Sequence, residues 1–166
     1  SAKLDFQTYV QRQYFKQMIR AANRRLTRMN GGEFLLQCRD LDQLGHRGEA
    51  GLDLDVYSLA AGKVRDVKTL SGGEAFLAAL SMALGMADVI QRTAGSVRVE
   101  ALFLDEGFGS LDEESRLRAI AILQELSGGK SLIGIISHVA ELKEQLEKKL
   151  TVKKTRTGSS VSWQID

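Results

Sequence analysis

The chain has 166 residues, of which 43% are hydrophobic and 27% charged, so it is long enough for one buried core and lacks the composition of a disordered segment. Its net charge of +2 is too small to indicate nucleic-acid binding by itself. The single cysteine, Cys38, excludes an internal disulfide, and no apolar run approaches the length of a membrane span. We therefore predict one soluble, intracellular domain without a membrane partner.

The first predicted element is a helix from Phe6 to Met29. Two interpretations of this helix remain open: it packs on the domain as an ordinary amphipathic helix, or it begins a coiled coil. Its apolar residues follow the alternating four-and-three spacing of a short heptad seam at Phe15, Ile19, Ala22, Leu26 and Met29. Its other faces carry arginines that form either a solvated face or, with lysines near the C-terminus, a surface for DNA phosphates: Arg20, Arg24, Arg25 and Arg28.

Two strands are predicted next, over 33–38 and 52–57, and Cys38 is expected to be a small packed residue of the first. The polar loop between them contains His46, which we expect to face water. Both strands belong to the one predicted α/β lobe.

Two adjacent glycines, Gly72 and Gly73, lie at the start of the next predicted helix, 71–91. A glycine in a helix costs about 1 kcal/mol relative to alanine, so the pair requires a reason. One hypothesis is the close approach of an anion to the backbone amides at the helix N-terminus. The alternative is a capping box without any ligand, because Ser71 and Glu74 have the S-x-x-E spacing.

Two further apolar segments end in polar side chains. The predicted strand 97–104 is followed by Asp105 and Glu106, and the strand 131–137 leads to His138. If the two strands are parallel neighbours, these side chains lie at the same edge of the sheet, where α/β proteins bind ligands. A carboxylate pair is costly without a cation, so the sequence favours a nearby magnesium ion over a solvated strand end.

The remaining predicted elements complete a single domain without repeats or linkers. Helix 112–126 supplies the crossover that the parallel strands require, and helix 139–148 follows the second of them. The strands 150–153 and 160–165 then form a terminal hairpin across 157–159.

Four of these segments together resemble the motifs of ABC-type ATPases, in the same order and with matching spacing. They are the signature motif at 70–74, the Walker B strand at 101–106, the D-loop at 109–112 and the switch histidine, His138. More narrowly, 105–112 and 75–84 resemble the bacterial SbcC DNA-repair ATPases, and the resemblance extends from about Phe6 to the C-terminus. It implies an α/β fold: residues 30–166 would be the C-terminal lobe of an ABC-type P-loop NTPase head, with a mostly parallel sheet flanked by helices. Residues 1–29 would be a helix from the coiled-coil root.

The phosphate-binding P-loop of such ATPases, G-x-x-x-x-G-K-[ST], is not found in this sequence. The Gly129-Lys130-Ser131 segment fails the pattern because Gln124 stands where the first glycine belongs, and because it precedes a strand instead of following one. The resemblance therefore implies that the P-loop lies in an N-terminal half of the same protein, beyond a long coiled coil. The chain alone is expected to be inactive as an ATPase.

The resemblance also implies a role for each site residue. In its own head, Asp105 would hold Mg²⁺, Glu106 would deprotonate the attacking water, and His138 would contact the γ-phosphate of ATP. The residues that would contact the nucleotide of a second head or reach across the dimer are Ser71, Gly72, Gly73, Glu74, Ser110 and Asp112. ATP binding would join two heads, and hydrolysis would release them.

The implied partners are the N-terminal half, a second copy of the head, an SbcD-type nuclease and DNA, all in the cytoplasm. The alternatives are an SMC-like (chromosome-maintenance) or RecN-like head, a transporter nucleotide-binding domain, and a nuclease-docking module without catalysis. An SMC-like Walker B strand typically continues with Ile-Asp-Ala-Ala, where this chain has 107–110, Gly-Phe-Gly-Ser. A transporter signature usually continues with Gln, where this chain has Glu74.

Overall fold

The structure is a computed structural model that describes residues 6–40, 52–95, 99–128, 131–156 and 158–165. Within these ranges the helices are α1 (Phe6–Met29), α2 (Gly72–Thr93), α3 (Glu113–Ser127) and α4 (Ala140–Gln145). The strands are β1 (Phe34–Cys38), β2 (Leu54–Ser58), β3 (Lys63–Asp66), β4 (Ala101–Asp105), β5 (Leu132–Ile136), β6 (Lys148–Thr155) and β7 (Gly158–Ile165). Short 3-10 helices lie at Val67–Thr69 and Phe108–Ser110.

The described strands form three sheets, and the predicted parallel pairing is confirmed. Strand β4 pairs with β5 in parallel, so that Asp105 lies opposite Ile136. The order β1-β2-β3 and the hairpin β6-β7 are both antiparallel. The α/β class with a parallel sheet is thus confirmed, but fewer of the described strands are parallel than predicted. Strands joined by short turns, as β2 and β3 are across 59–62, pair antiparallel because a parallel crossover needs a longer connection.

Several elements and boundaries differ from the prediction; β2, for example, spans Leu54–Ser58 instead of 52–57, and β4 begins at Ala101. Strand β3 is an additional element, and α4 ends at Gln145 instead of continuing to residue 148. Lys148 instead begins β6, because β6 and β7 pair along eight residues each and the hairpin is longer than predicted. The predicted positions of His46, of Val97 and of Thr157 in the turn of the hairpin lie outside the described residues.

The seam of α1 packs into the core of the domain. Ile19, Ala22, Leu26 and Met29 are buried, and Phe15 packs against the same core from its edge. Within this chain, the apolar side of the seam is therefore covered by the domain itself. Cys38 is likewise packed against the core, where burial raises the pKa of its thiol.

Helix α2 contradicts the prediction that no apolar segment approaches the length of a membrane span. By length and composition alone, it is the one helix among the described residues that could cross a membrane, with a mean hydropathy of 1.5. Its residues Leu77, Leu80, Leu84 and Val89 are buried in the fold, and Arg25 of α1 forms an ion pair with Asp88 at 2.6 Å. This burial is typical of the core helix of a globular domain.

Helices α1 and α2 cross at Gly85, where a Cβ atom would lie 2.6 Å from the carbonyl oxygen of Met18 and 2.7 Å from the amide of Ala22. We expect Gly85→Ala to destabilise the domain, because the overpacking cost of about 1–3 kcal/mol exceeds the gain in helix propensity of about 1 kcal/mol. Urea denaturation followed by circular dichroism measures the change. Gly128→Ala is the matched control, since its Cβ would meet only ordinary contacts at 3.6 Å; an equal effect of both substitutions would contradict the explanation.

One face of the β4-β5 pair is exposed and apolar. Phe103 is 64% exposed, Leu132 62% and Ile136 57%, whereas Leu102 and Leu104 point to the core side and pack against it. Within the described residues, strand β4 is therefore covered on one side only. The hairpin has a similar exposed apolar face, formed by Leu150, Val152, Val161, Trp163 and Ile165.

Candidate functional site

The end of β4 turns sharply at Glu106. Asp105 is the last residue of the strand and is exposed, and the amide of Glu106 still donates to the carbonyl of Ile136 at 2.9 Å. Glu106 has a left-handed backbone with φ of 60°, which is rare for a residue other than glycine and is found disproportionately at functional sites. Gly107 follows with φ of 94°. The backbone therefore leaves the extended conformation directly after Asp105.

The structure brings Glu106 and His138 together, as predicted from the parallel strands. His138 Nδ1 lies 2.8 Å from Glu106 Oε2, and both side chains are at least half exposed. His138 follows β5 in a turn that is held by the Val139 amide, which donates to the Ser137 hydroxyl at 3.1 Å. A carboxylate and an imidazole in contact at an open sheet edge are suited to binding and moving a proton.

Ser71 and Glu74 form the capping box that their spacing indicates. The amide of Glu74 donates to Ser71 Oγ at 3.2 Å, and the amide of Ser71 donates to Glu74 Oε2 at 2.7 Å. Burial, the largest single effect, raises the pKa of Glu74, but the Ser71 amide and Arg65 together outweigh burial and lower that pKa. The cap accounts for Ser71 and Glu74 without a ligand, and it leaves the two glycines to be explained.

Gly73 has a steric reason within the chain itself. A Cβ atom at Gly73 would lie 2.6 Å from the backbone oxygen of Ser110, so the start of α2 and the D-loop approach more closely than any side chain allows. At Gly72 the nearest atom is Ser110 Cβ at 3.8 Å, an ordinary contact. Packing within the chain therefore explains the glycine at position 73. It does not explain the glycine at position 72, for which the approach of an anion remains the hypothesis.

The D-loop residues Ser110 and Asp112 both have local partners. Ser110 Oγ donates to the carbonyl of Gly107 at 2.6 Å. Asp112 is the N-cap of α3 and accepts from the amide of Ser115 at 2.8 Å, which lowers the pKa of this carboxyl. These contacts fix the shape of the loop, as N-caps commonly do.

The signature and D-loop segments meet at one cavity of about 240 Å³. It is lined by Ser71, Gly73, Glu74, Ser110 and Asp112, together with Asn30, Glu33, Phe34, Leu77, Leu111 and Ser115. Asp105, Glu106 and His138 are not among its lining residues. Apart from Gly72, which does not line this cavity, the predicted site residues thus fall into two groups, one at the cavity and one at the edge of the β4-β5 sheet.

A ring contact connects the two groups. The rings of Phe76 on α2 and Phe108, directly after Gly107, meet edge to face with centroids 5.0 Å apart. Phe108 is completely buried, and a Cβ at Gly107 would lie 2.2 Å from the Phe76 ring. The signature helix is therefore packed against the turn that carries Glu106.

Sequence reasoning missed the ion pairs that support the signature. Arg65 Nη2 lies 2.6 Å from Glu74 Oε1. Arg39 forms ion pairs with the buried Asp55 at 2.6 Å and with the partly exposed Asp66 at 2.9 Å. Asp66 in turn caps the 3-10 helix before the signature by accepting from the Lys68 amide. Arg65 and Asp66 lie on the short strand β3, so the missing prediction of that strand concealed them.

Comparison with solved structures supports the predicted fold. A chain from a structural study of ATP-driven dimerization and DNA stimulated activation of SMC ATPases aligns with a TM-score of 0.68 and 18% identity. The alignment covers 94% of this chain and 88% of that one. At this identity the likeness shows the fold alone, and the predicted fold, which solved SMC head domains share, is confirmed.

A family model and several sequence relatives also match this chain. The family described as SbcC/RAD50-like, Walker B motif, matches residues 49–125. The SbcC subunit of nuclease SbcCD from Vibrio cholerae is 48% identical over 160 residues, and its counterpart from Treponema pallidum is 44% identical over 159 residues. Each alignment covers 96% of this chain but only 16% and 15% of the relative. The chain is similar to these SbcC subunits over nearly its whole length and spans about a sixth of theirs.

Proposed function

We propose that this chain is the C-terminal lobe of the ATPase head of an SbcC-type DNA-repair nuclease complex, and that ATP joins two such heads. The proposal depends most on the division of the candidate residues into two groups. Ser71 and Gly73 line a cavity with the D-loop, whereas Glu106 and His138 pair at the sheet edge. Two groups on one lobe suit a dimer in which each head hydrolyses its own ATP and covers that of its neighbour.

The donor set at the sheet edge fits a magnesium–nucleotide site. Mg²⁺ is commonly bound through one or two carboxylates, several waters and substrate phosphates, and Asp105 and Glu106 supply exposed carboxylates. The described residues contain no group of three or more His, Cys, Asp and Glu side chains that could hold a metal alone. Asp105 would hold the ion, and bound Mg²⁺ would neutralise charge on the phosphate oxygens. Glu106 would accept a proton from the attacking water, and His138 would contact the γ-phosphate.

The exposed apolar faces support an N-terminal half as the missing partner. Parallel sheets are normally covered on both faces, yet Phe103, Leu132 and Ile136 are exposed. The apolar face of the β6-β7 hairpin, with Trp163 68% exposed, extends the uncovered surface. A second lobe that carries the P-loop would cover these faces and complete the nucleotide site.

Other parts of the proposal concern the whole protein. Helix α1 would belong to the root of the coiled coil, and Phe6 and Tyr9 at its N-terminal end are 82% and 53% exposed. An SbcD-type nuclease would act with the head dimer, whose opening and closing would control the access of DNA in the cytoplasm. The 48% identity to an SbcC relative favours this assignment over a chromosome-maintenance head, for which the identity to solved structures is 18–19%.

Substitution of Ser71 tests the proposal in the full-length protein. Ser71→Arg is expected to weaken ATP-dependent dimerisation by at least about tenfold, because a large side chain fills the place of a second head's phosphate. Nucleotide binding by a single head is expected to change by less than about twofold. Light scattering measures dimerisation, and binding of a fluorescent nucleotide at low protein concentration measures the single head.

Ser71→Asp separates the phosphate role from the capping role. Aspartate is as good an N-cap as serine, so a purely structural cap would tolerate it. A phosphate contact would not, because the added charge repels the incoming triphosphate. Normal ATP-dependent pairing of both variants would overturn the proposed function.

A further inference from the structure

The carboxylate of Glu74 lies where the proposed function requires a triphosphate to approach. Glu74 lines the same cavity as Ser71 and Gly73, in the first turn of α2. Its Oε2 accepts from the amide of Ser71, and its side chain is 26% exposed. An unpaired carboxylate there would repel a phosphate and compete with it for the positive end of the helix.

Arg65 is held rigidly against this carboxylate. Its Nη2 lies 2.6 Å from Glu74 Oε1, and its Nη1 donates to both the carbonyl and the hydroxyl of Thr69 at 3.1 Å. The guanidinium also lies over the ring of the fully buried Phe34, 5.9 Å from the ring centroid. Several independent contacts therefore fix Arg65 in one place, which is unusual for a flexible side chain.

The strand that carries Arg65 is itself anchored to the domain. Arg65 lies opposite the buried Val56 in the β2-β3 pairing, and the next residue, Asp66, binds Arg39 at 2.9 Å. Arg39 also forms a 2.6 Å contact with Asp55, whose side chain is 5% exposed. Arg65 thus reaches Glu74 from a fixed position in the antiparallel sheet.

We propose that Arg65 is a positioning residue for ATP-driven head pairing. Arg65 neutralises the charge of Glu74, so that the corner formed by Ser71 and Gly73 accepts the γ-phosphate of a second head. The inference rests on the proposed function of that corner. The role of Arg65 is electrostatic as well as structural: it holds the capping carboxylate in place and cancels the charge that would repel the nucleotide. Arg65 does not itself touch the nucleotide in this scheme.

The test measures ATP-dependent dimerisation and single-head nucleotide binding in the full-length protein. Arg65→Ala is expected to weaken dimerisation by about tenfold or more, with single-head binding within about twofold of the parent. The double variant Arg65→Ala with Glu74→Gln is expected to recover dimerisation to within about threefold, because glutamine keeps the capping-box hydrogen bond without the charge. Arg65→Lys, which retains the positive charge, is expected to keep most of the ATP-dependent dimerisation of the parent.

Arg28→Ala is the matched control, since it removes an equally short 2.6 Å ion pair, with Glu125, on an exposed surface. Its dimerisation is expected to equal that of the parent.

Unimpaired dimerisation of Arg65→Ala, or equal loss in the single and double variants, would overturn the inference. Thermal melting identifies any variant that fails to fold, in which case Arg65→Lys against Arg65→Gln decides by charge alone. Ser71→Arg in the same assay separates the two proposals: if it blocks pairing while the Arg65 prediction fails, only the role of Arg65 is wrong.

Discussion

Glu106→Gln in the complete head is expected to trap ATP-bound dimers. Glutamine has nearly the shape of glutamate but cannot accept the proton of the attacking water, so turnover is expected to fall by about 10²–10⁴-fold while nucleotide binding persists. The residue lies 2.8 Å from His138 on a left-handed backbone that either side chain adopts with similar difficulty. The substitution therefore changes the chemistry of the site more than its fold.

Single-turnover hydrolysis and light scattering in the presence of ATP and Mg²⁺ measure the two parts of this result. Glu113→Gln is the matched control, because it makes the same chemical change in the first turn of α3. Its turnover is expected to remain near that of the parent. A Glu106→Gln head that stays monomeric with ATP, or that hydrolyses ATP at the parent rate, would contradict the role given to Glu106.

The second large effect concerns the missing half. The chain alone is expected to show no ATP turnover above background, because its sequence contains no P-loop to hold the triphosphate. Mixing or co-expression with the N-terminal half of the same protein is expected to restore hydrolysis. The steady release of phosphate, measured at several ratios of the two halves, should saturate when they are equimolar.

Two controls make this experiment specific. An N-terminal half whose P-loop lysine is changed to alanine should fail to restore turnover, which excludes a contaminating ATPase. The restored activity should also fall when this chain carries Glu106→Gln. Turnover by the chain alone, sensitive to the same Glu106 substitution, would contradict the interpretation as half of a head.

The parts of the fold that were predictable depend on local sequence or on simple sheet rules. The S-x-x-E spacing of Ser71 and Glu74 specifies a capping box, and the structure contains both of its hydrogen bonds. Two apolar runs joined by a helix specify parallel neighbours, which place Glu106 and His138 in contact. These features need no knowledge of distant contacts.

The parts that were not predictable depend on tertiary contacts. Strand β3 has only four residues, of which Val64 is exposed, so it shows no alternating pattern and its Arg65 could not be placed near Glu74. The seam of α1 has the same spacing whether it packs on a domain or on another helix, so the burial of Leu26 and its neighbours in this domain could not be read from the sequence. The apolar sequence of β4 likewise does not tell which of its faces this chain covers.

The left-handed backbone at Glu106 changes the direction of the chain between the two adjacent acids, Asp105 and Glu106. Along a regular strand successive side chains emerge on opposite sides, so a straight continuation of β4 would send the acids after Leu104 away from one another. The rotation at Glu106, accommodated by Gly107, interrupts that alternation immediately beyond the last paired residue. If the proposed roles are right, a redesign that lengthened the strand by one regular residue would therefore separate ion binding at Asp105 from water activation at Glu106 without removing either carboxylate.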